Sequence, residues 1–143
     1  MRAIPNPRVA TVIRDYFAAL SGRNFATWSI LFADDCVVHE PAGTLAAEGR
    51  AQLEEVWQIF AGPFETLTIA EDDTFYGGSG AAVHWSATAV GNDGTEAEFE
   101  GITVFEIDDD SKITTLVSYW DPADVLIRLA GGLPEEDTEY LDA

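Results

Sequence analysis

From Val9 onward apolar side chains fall at Val9, Val12, Ile13, Tyr16, Phe17 and Leu20, the recurrence of a helix with one buried stripe. "SGRN" at 21–24 breaks that rhythm. Asn24 can cap a second helix whose apolar side is Phe25, Trp28, Leu31 and Phe32, so the two read as an antiparallel pair. "CVVHEP" predicts a brief strand. Its Pro41 cannot donate to a central ladder, which places the strand's end next to an edge or an opening. Two-residue alternation puts Cys36, Val38 and Glu40 on one face and Val37 and His39 on the other. Behind Gly49 a third helical segment is predicted over 50–61, with Leu53, Val56, Trp57 and Phe60 as its seam, ended by Gly62-Pro63.

After Pro63 the period shortens to two. "FETLTIAEDD", "AAVHWSATAV", "TEAEFEGITVFEI" and "KITTLVSYW" are rich in Thr, Val, Ile and aromatics, and "GGSG", "GNDG" and "DDDS" separate them. They predict four successive strands in hairpins. "DPADVLIRLAGG" predicts a short helix capped by Asp121, with Pro122 in its first turn and Gly131-Gly132 as its stop. The acidic tail 133–143 is predicted to be solvated and flexible. The pattern as a whole predicts one α+β domain over 1–143 with its core at about 9–128: a cone-shaped, curved antiparallel sheet covered by N-terminal helices. Such a cone is a natural small-molecule pocket. No internal repeat and no phosphate-cradling glycine loop is present.

Charge narrows the partners. Twenty-six acidic residues against seven basic ones give a net charge of -19, which repels polyanions and excludes nucleic acid as the expected partner. The single cysteine, Cys36, leaves no internal disulfide. No run approaches the ~20 apolar residues of a membrane span, so a cytoplasmic protein without membrane contact is expected. Two histidines exclude a His-rich metal site.

Glu40 is the first candidate for chemistry. It is either an ordinary exposed carboxylate at a strand end or, if Cys36 and Val38 face inward, a buried acid whose pKa rises toward that of a general base. Tyr16 lies on the buried stripe of the first helix, as a plain core residue or as a donor to an oxygen that gains negative charge. His84 shares a strand face with Ala82, Ser86 and Thr88, opposite the more apolar face of Val83, Trp85, Ala87 and Ala89, which reads as the interior. Thr103 is a hydroxyl embedded in the apolar face of Phe99, Gly101, Phe105 and Ile107. Trp120 shares its face with Leu116 and Ser118.

Together these positions resemble the ketosteroid isomerase branch of the nuclear transport factor two-like superfamily, also called the SnoaL-like or polyketide-cyclase-like group. "DYFAAL" resembles its first helix, "LFADDCVVHEPAG" the segment with the catalytic acid followed by proline, "GITVFEI" the strand with the second acid, and "ITTLVSYWDPADV" its terminal strand. The resemblance spans roughly residues 9–128. It implies Tyr16 as the oxyanion donor, Glu40 as the proton-shuttling base in place of an aspartate, and Thr103 in place of a neutral aspartic acid. It also turns His84 toward the pocket, against the parity reading, and with it Ser86. The substrate wall is then Val38, Trp57, Phe60, Ser86, Phe105, Leu116, Ser118 and Trp120. The implied activity is proton transfer next to a carbonyl of an apolar, steroid- or polyketide-like molecule, with no cofactor or metal. The alternatives are an apolar-ligand binder without turnover, and a dehydratase or hydratase using Glu40 and His84. A homodimer through the outer sheet face, with His39, Val37 or Trp85 contributing, is also implied.

Overall fold

The computed structural model describes residues 6–62 and 64–129; the stop at Gly131-Gly132 and the tail 133–143 lie outside them. Helix α1 spans Pro7–Ser21. The Asn6 side chain accepts from the Arg8 and Val9 amides, and Pro7 opens the first turn, where its missing N–H is not needed. Its buried stripe is Val9, Val12, Ile13, Tyr16, Phe17, Ala19 and Leu20. At its end Ser21 Oγ donates to the Ile69 carbonyl and accepts from the Ile69 amide, at 3.2 and 3.0 Å. One hydroxyl thus docks the helix onto β3 (Phe64–Gly77).

Helix α2 is only Phe25–Ser29, capped by Asn24, whose side chain accepts from the Thr27 amide. The predicted continuation through Leu31 and Phe32 does not form, because Phe32 opens strand β1 (Phe32–His39) and pairs with Ile113. Apart from Ala26, this helix of Phe, Thr, Trp and Ser has little intrinsic propensity to set against that pairing. β2 (Leu45–Glu48) is a strand that alternation did not predict. A single 3-10 turn at Arg50–Gln52 then leads into α3 (Leu53–Phe60), so the third helical segment stands with a tighter first turn. β4 (Gly80–Gly91), β5 (Glu96–Ile107), β6 (Ile113–Tyr119) and α4 (Pro122–Leu129) follow as the pattern indicated. Asp121 caps α4 by accepting from Ala123 and Asp124.

The sheet corrects the expected architecture. Its order is β2-β1-β6-β5-β4-β3, so among the described residues β2 and β3 are its edges, and the sheet neither closes nor curls strongly into a cone. Nor is it purely antiparallel: β1 runs parallel to β6, with Val38 opposite Leu116 and His39 opposite Val117. Alternation identifies strands and their faces. It says nothing about which distant strand becomes a neighbour, and here the crossover through β2, α3 and the β3–β6 meander sets the parallel pair. One face of the sheet packs under the helices, where Trp28, Phe32, Leu53, Val83, Trp85, Phe105, Ile113 and Leu116 are at most 1% exposed.

Candidate active site

Glu40 follows β1 directly and continues its inward phase from Cys36 and Val38, all three fully buried. Its Oε1 accepts from Trp120 Nε1 at 2.5 Å, across 80 residues of sequence. Among the described residues its Oε2 has no hydrogen-bond partner. Ser118 Oγ sits on the same inward row, near enough to favour the ionised carboxylate but without a hydrogen bond of normal geometry to it. Burial outweighs both donors and raises the Glu40 pKa from 4.5 to about 7. Trp120 is itself only part-buried and stacks on Phe99 at 5.6 Å. The acid therefore lies one side chain below the surface.

Tyr16 projects from α1 into a cage of aromatic rings: Phe17 and Phe105 at 5.0 Å, Trp28 at 6.2 Å and Phe32 at 6.4 Å. It is 2% exposed. Burial first and the Glu40 charge second push its phenol well above the ordinary tyrosine range, while Trp28 acts the other way. The hydroxyl thus remains a proton donor. Trp28 Nε1 is buried and makes no hydrogen bond of its own among the described residues. Sequence reasoning placed Trp28 in a helical seam and saw only packing there, because an indole N–H carries no signal of whether it finds an acceptor.

Thr103 and Ser118 are buried and 2.9 Å apart, directly opposite in the β5–β6 register. Trp85 Nε1 donates to Thr103 Oγ1 at 2.9 Å. The remaining expected wall residues Val38, Trp57, Phe105 and Leu116 are in the core, and the side chain of Phe60 lies outside the described residues.

His84 and Ser86 are not brought to this interior. His84 sits on the outer sheet face, its side chain 39% exposed, with Nε2 3.2 Å from Glu100 Oε2 and Nδ1 3.8 Å from Asp72 Oδ2. Ser86 is exposed beside it and donates to Asp72. Parity had indicated this, and the pocket-facing orientation implied by resemblance fails because Val83, Trp85 and Ala87 already fill the inner face. For the same reason Trp85, fully buried, cannot contribute to an outer contact. Surface depressions lined by described residues lie elsewhere, among them one of about 390 Å³ beside Ser86, Glu98 and Glu100 and one of about 510 Å³ between Asp34, Arg50 and Lys112. Among the described residues no group of three or more His, Cys, Asp or Glu side chains converges to hold a metal ion.

A buried acid beside an indole donor, facing a phenol under the first helix, is an arrangement that can be compared with known proteins. A SnoaL-like domain matches residues 13–116. The chain belongs to the SnoaL-like family. It is similar to the steroid Δ-isomerase of Nocardioides simplex, 27% identical over 122 residues that cover 85% of this chain and 97% of that one. Its fold is shared with the Δ5-3-ketosteroid isomerase of a Mycobacterium species, with TM-score 0.70, 24% identity, and 82% and 95% of the two chains covered. It is shared too with a Mycobacterium tuberculosis protein in complex with estradiol-17beta-hemisuccinate, with TM-score 0.71, 17% identity, and 81% and 95% covered. In the SnoaL-like chain described here, no helix among the described residues is long and apolar enough to cross a membrane.

Proposed function

We propose that this protein is a cofactor-independent proton-transfer enzyme acting next to a carbonyl of an apolar small molecule. The observation that carries the reading is the carboxyl of Glu40: fully buried, one oxygen held by Trp120, the other without a hydrogen-bond partner among the described residues, so that burial pushes its pKa up to about 7. A base with that pKa removes a weakly acidic proton at neutral pH and gives it back without forming a strongly stabilised ion. In the proposed cycle Glu40 Oε2 takes the α-proton, Tyr16 donates to the enolate oxygen, and Glu40 returns the proton. Resemblance to a steroid isomerase in sequence, and in fold to a protein that holds a steroid ester, supports a ligand of that size and polarity.

The test is incubation with a β,γ-unsaturated ketone in deuterated water. Exchange at the α-carbon is expected for the parent and is expected to fall about 10³-fold in Glu40→Gln; exchange that persists in that variant defeats the reading. Binding without turnover is the second reading. It is favoured by one observation: Thr103, in place of a second acid, already has two hydroxyl or indole partners. Tight binding of the ketone with no exchange in the parent selects it. The dehydratase alternative loses its second group, since His84 lies on the other side of the sheet. A homodimer would cover the outer face, where Phe75, Ile102 and Tyr119 are 56, 45 and 55% exposed.

A further inference from the structure

The buried hydroxyls beside Glu40 have no task in the cycle above. Three elements bring them together. In the β4–β5–β6 register Val83, Thr103 and Ser118 stand in one row. The parallel pairing of Val38 with Leu116 extends that row to Glu40, and the Ala42 amide donates to the Ser118 carbonyl at 2.6 Å, tying the residues after Glu40 to the same point of β6. Trp85 reaches Thr103 by lying across Gly101, its partner in register. A Cβ at Gly101 would stand 2.5 Å from Trp85 Cζ2 and 2.6 Å from the Tyr119 carbonyl, so the absent side chain makes room for the indole.

Chemistry then fixes the direction of the bonds. An indole N–H can only donate, so Trp85 occupies one lone pair of Thr103. Thr103 and Ser118 have one proton each and share one bond, in which either can donate. An ionised carboxylate is acceptor-only. Beside it the Ser118 proton turns toward Glu40 and the Thr103 proton toward Ser118. The two hydrogen bonds of the row, Trp85 to Thr103 and Thr103 to Ser118, then point the same way and strengthen each other, and the Ser118 O–H dipole is directed on toward the carboxylate.

We propose that Trp85, Thr103 and Ser118 form a hydrogen-bonded relay whose last hydroxyl, next to Glu40 in the row, points at its carboxylate and favours its charged form. They are positioning residues, and Thr103 serves the base rather than the substrate oxygen. The proposal deepens the reading of Glu40 as the base and takes its purpose from it. When Glu40 gains a proton the pull on Ser118 is lost, Ser118 can donate back to Thr103, and the row relaxes.

Among the described residues the groups that face Glu40 are few. Tyr16 faces it from α1, Trp120 and Ser118 lie beyond and within β6, Thr103 follows on β5, and Cys36 lies two turns of the pleat earlier on its own strand face. Of the charged residues of the covering helices, Arg14 and Asp15 on α1, Glu54 and Glu55 on α3, and the Asp124–Arg128 pair on α4 lie at the surface, and Arg8 on α1 is half-buried with its guanidinium on the Asp108 carbonyl.

The test is a pH titration of the Glu40 side-chain carboxyl carbon by NMR in the full chain labelled at glutamate, assigned by its loss in Glu40→Gln. Ser118→Ala is expected to raise the midpoint by about one pH unit. Thr103→Val is expected to raise it by less, and Thr103→Ser to restore the parent value. A midpoint unmoved within about 0.2 units in Ser118→Ala, or equal midpoints in Thr103→Val and Thr103→Ser, overturns the relay; the second pair decides should Ser118→Ala not fold. The readout needs no turnover. A protein that never exchanges the ketone still reports the shift, whereas exchange with an unmoved midpoint sinks the relay alone.

Discussion

The two faces of the central strands carry nearly the same inventory. On the inner face stand a carboxylate, two hydroxyls and two indoles: Glu40, Ser118, Thr103, Trp85 and Trp120. On the outer face stand two carboxylates, a hydroxyl and an imidazole: Asp72, Glu100, Ser86 and His84. Single steps of one strand, His84 to Trp85 to Ser86, separate the two sets. Yet Glu40 is 0% exposed, while the side chains of His84, Asp72 and Glu100 are 39, 39 and 71% exposed. Water screens the outer pairs and leaves them worth little. Its exclusion lifts the inner carboxyl toward neutrality and leaves its oxygens dependent on the few donors that reach them. Whether a titratable group can do chemistry is decided here by which side of the sheet it faces, more than by residue type.

The sharpest way to break this contrast is to remove one acid from each face. Glu40→Gln is expected to lower ketone exchange about 10³-fold, and Glu100→Gln to leave it within about twofold, since a solvated carboxylate in an outer pair takes no part in the reaction. Equal losses would erase the distinction.

Next in size is the effect of Glu40 on stability. Its carboxyl keeps a proton in the folded chain between pH 4.5 and about 7, where the unfolded chain has released it. The contribution is therefore fully present below 4.5 and is lost as pH rises through 7. At about 1.4 kcal/mol per pH unit the shift corresponds to about 3 kcal/mol. Urea unfolding of parent and Glu40→Gln between pH 4 and 8 isolates the site from the general repulsion of the acidic chain, and parallel curves would refute it. Gly101→Ala is expected to cost about 1–3 kcal/mol by overpacking against Trp85 and the Tyr119 carbonyl, seen as a lowered urea midpoint. Smallest of all, His84→Ala is expected to change stability by less than about 1 kcal/mol.

Much of this was legible along the chain. The 3.6-residue stripe gave α1 with Tyr16 on its buried side, Asn24 and Asp121 marked two helix starts, and alternation from Cys36 turned Glu40 inward. The same alternation gave the correct face for His84, and resemblance to relatives gave the wrong one. What could not be read was adjacency. Phe32 left its helix because Ile113, some 80 positions away, was available for pairing. The Trp120–Glu40 bond spans a similar separation, and the Thr103–Ser118 bond depends on a register that no local pattern encodes. The mixed, open sheet in place of a cone has the same origin, since strand neighbours are chosen by packing of the whole chain.

With Oε1 tied to Trp120, Glu40 has one oxygen left to work with. In the proposed cycle the base stands on one side of the bound molecule, so a proton it lifts is set down on that same side, and Trp120 fixes which oxygen does so. Deuterium carried through that cycle is then expected on the face it left.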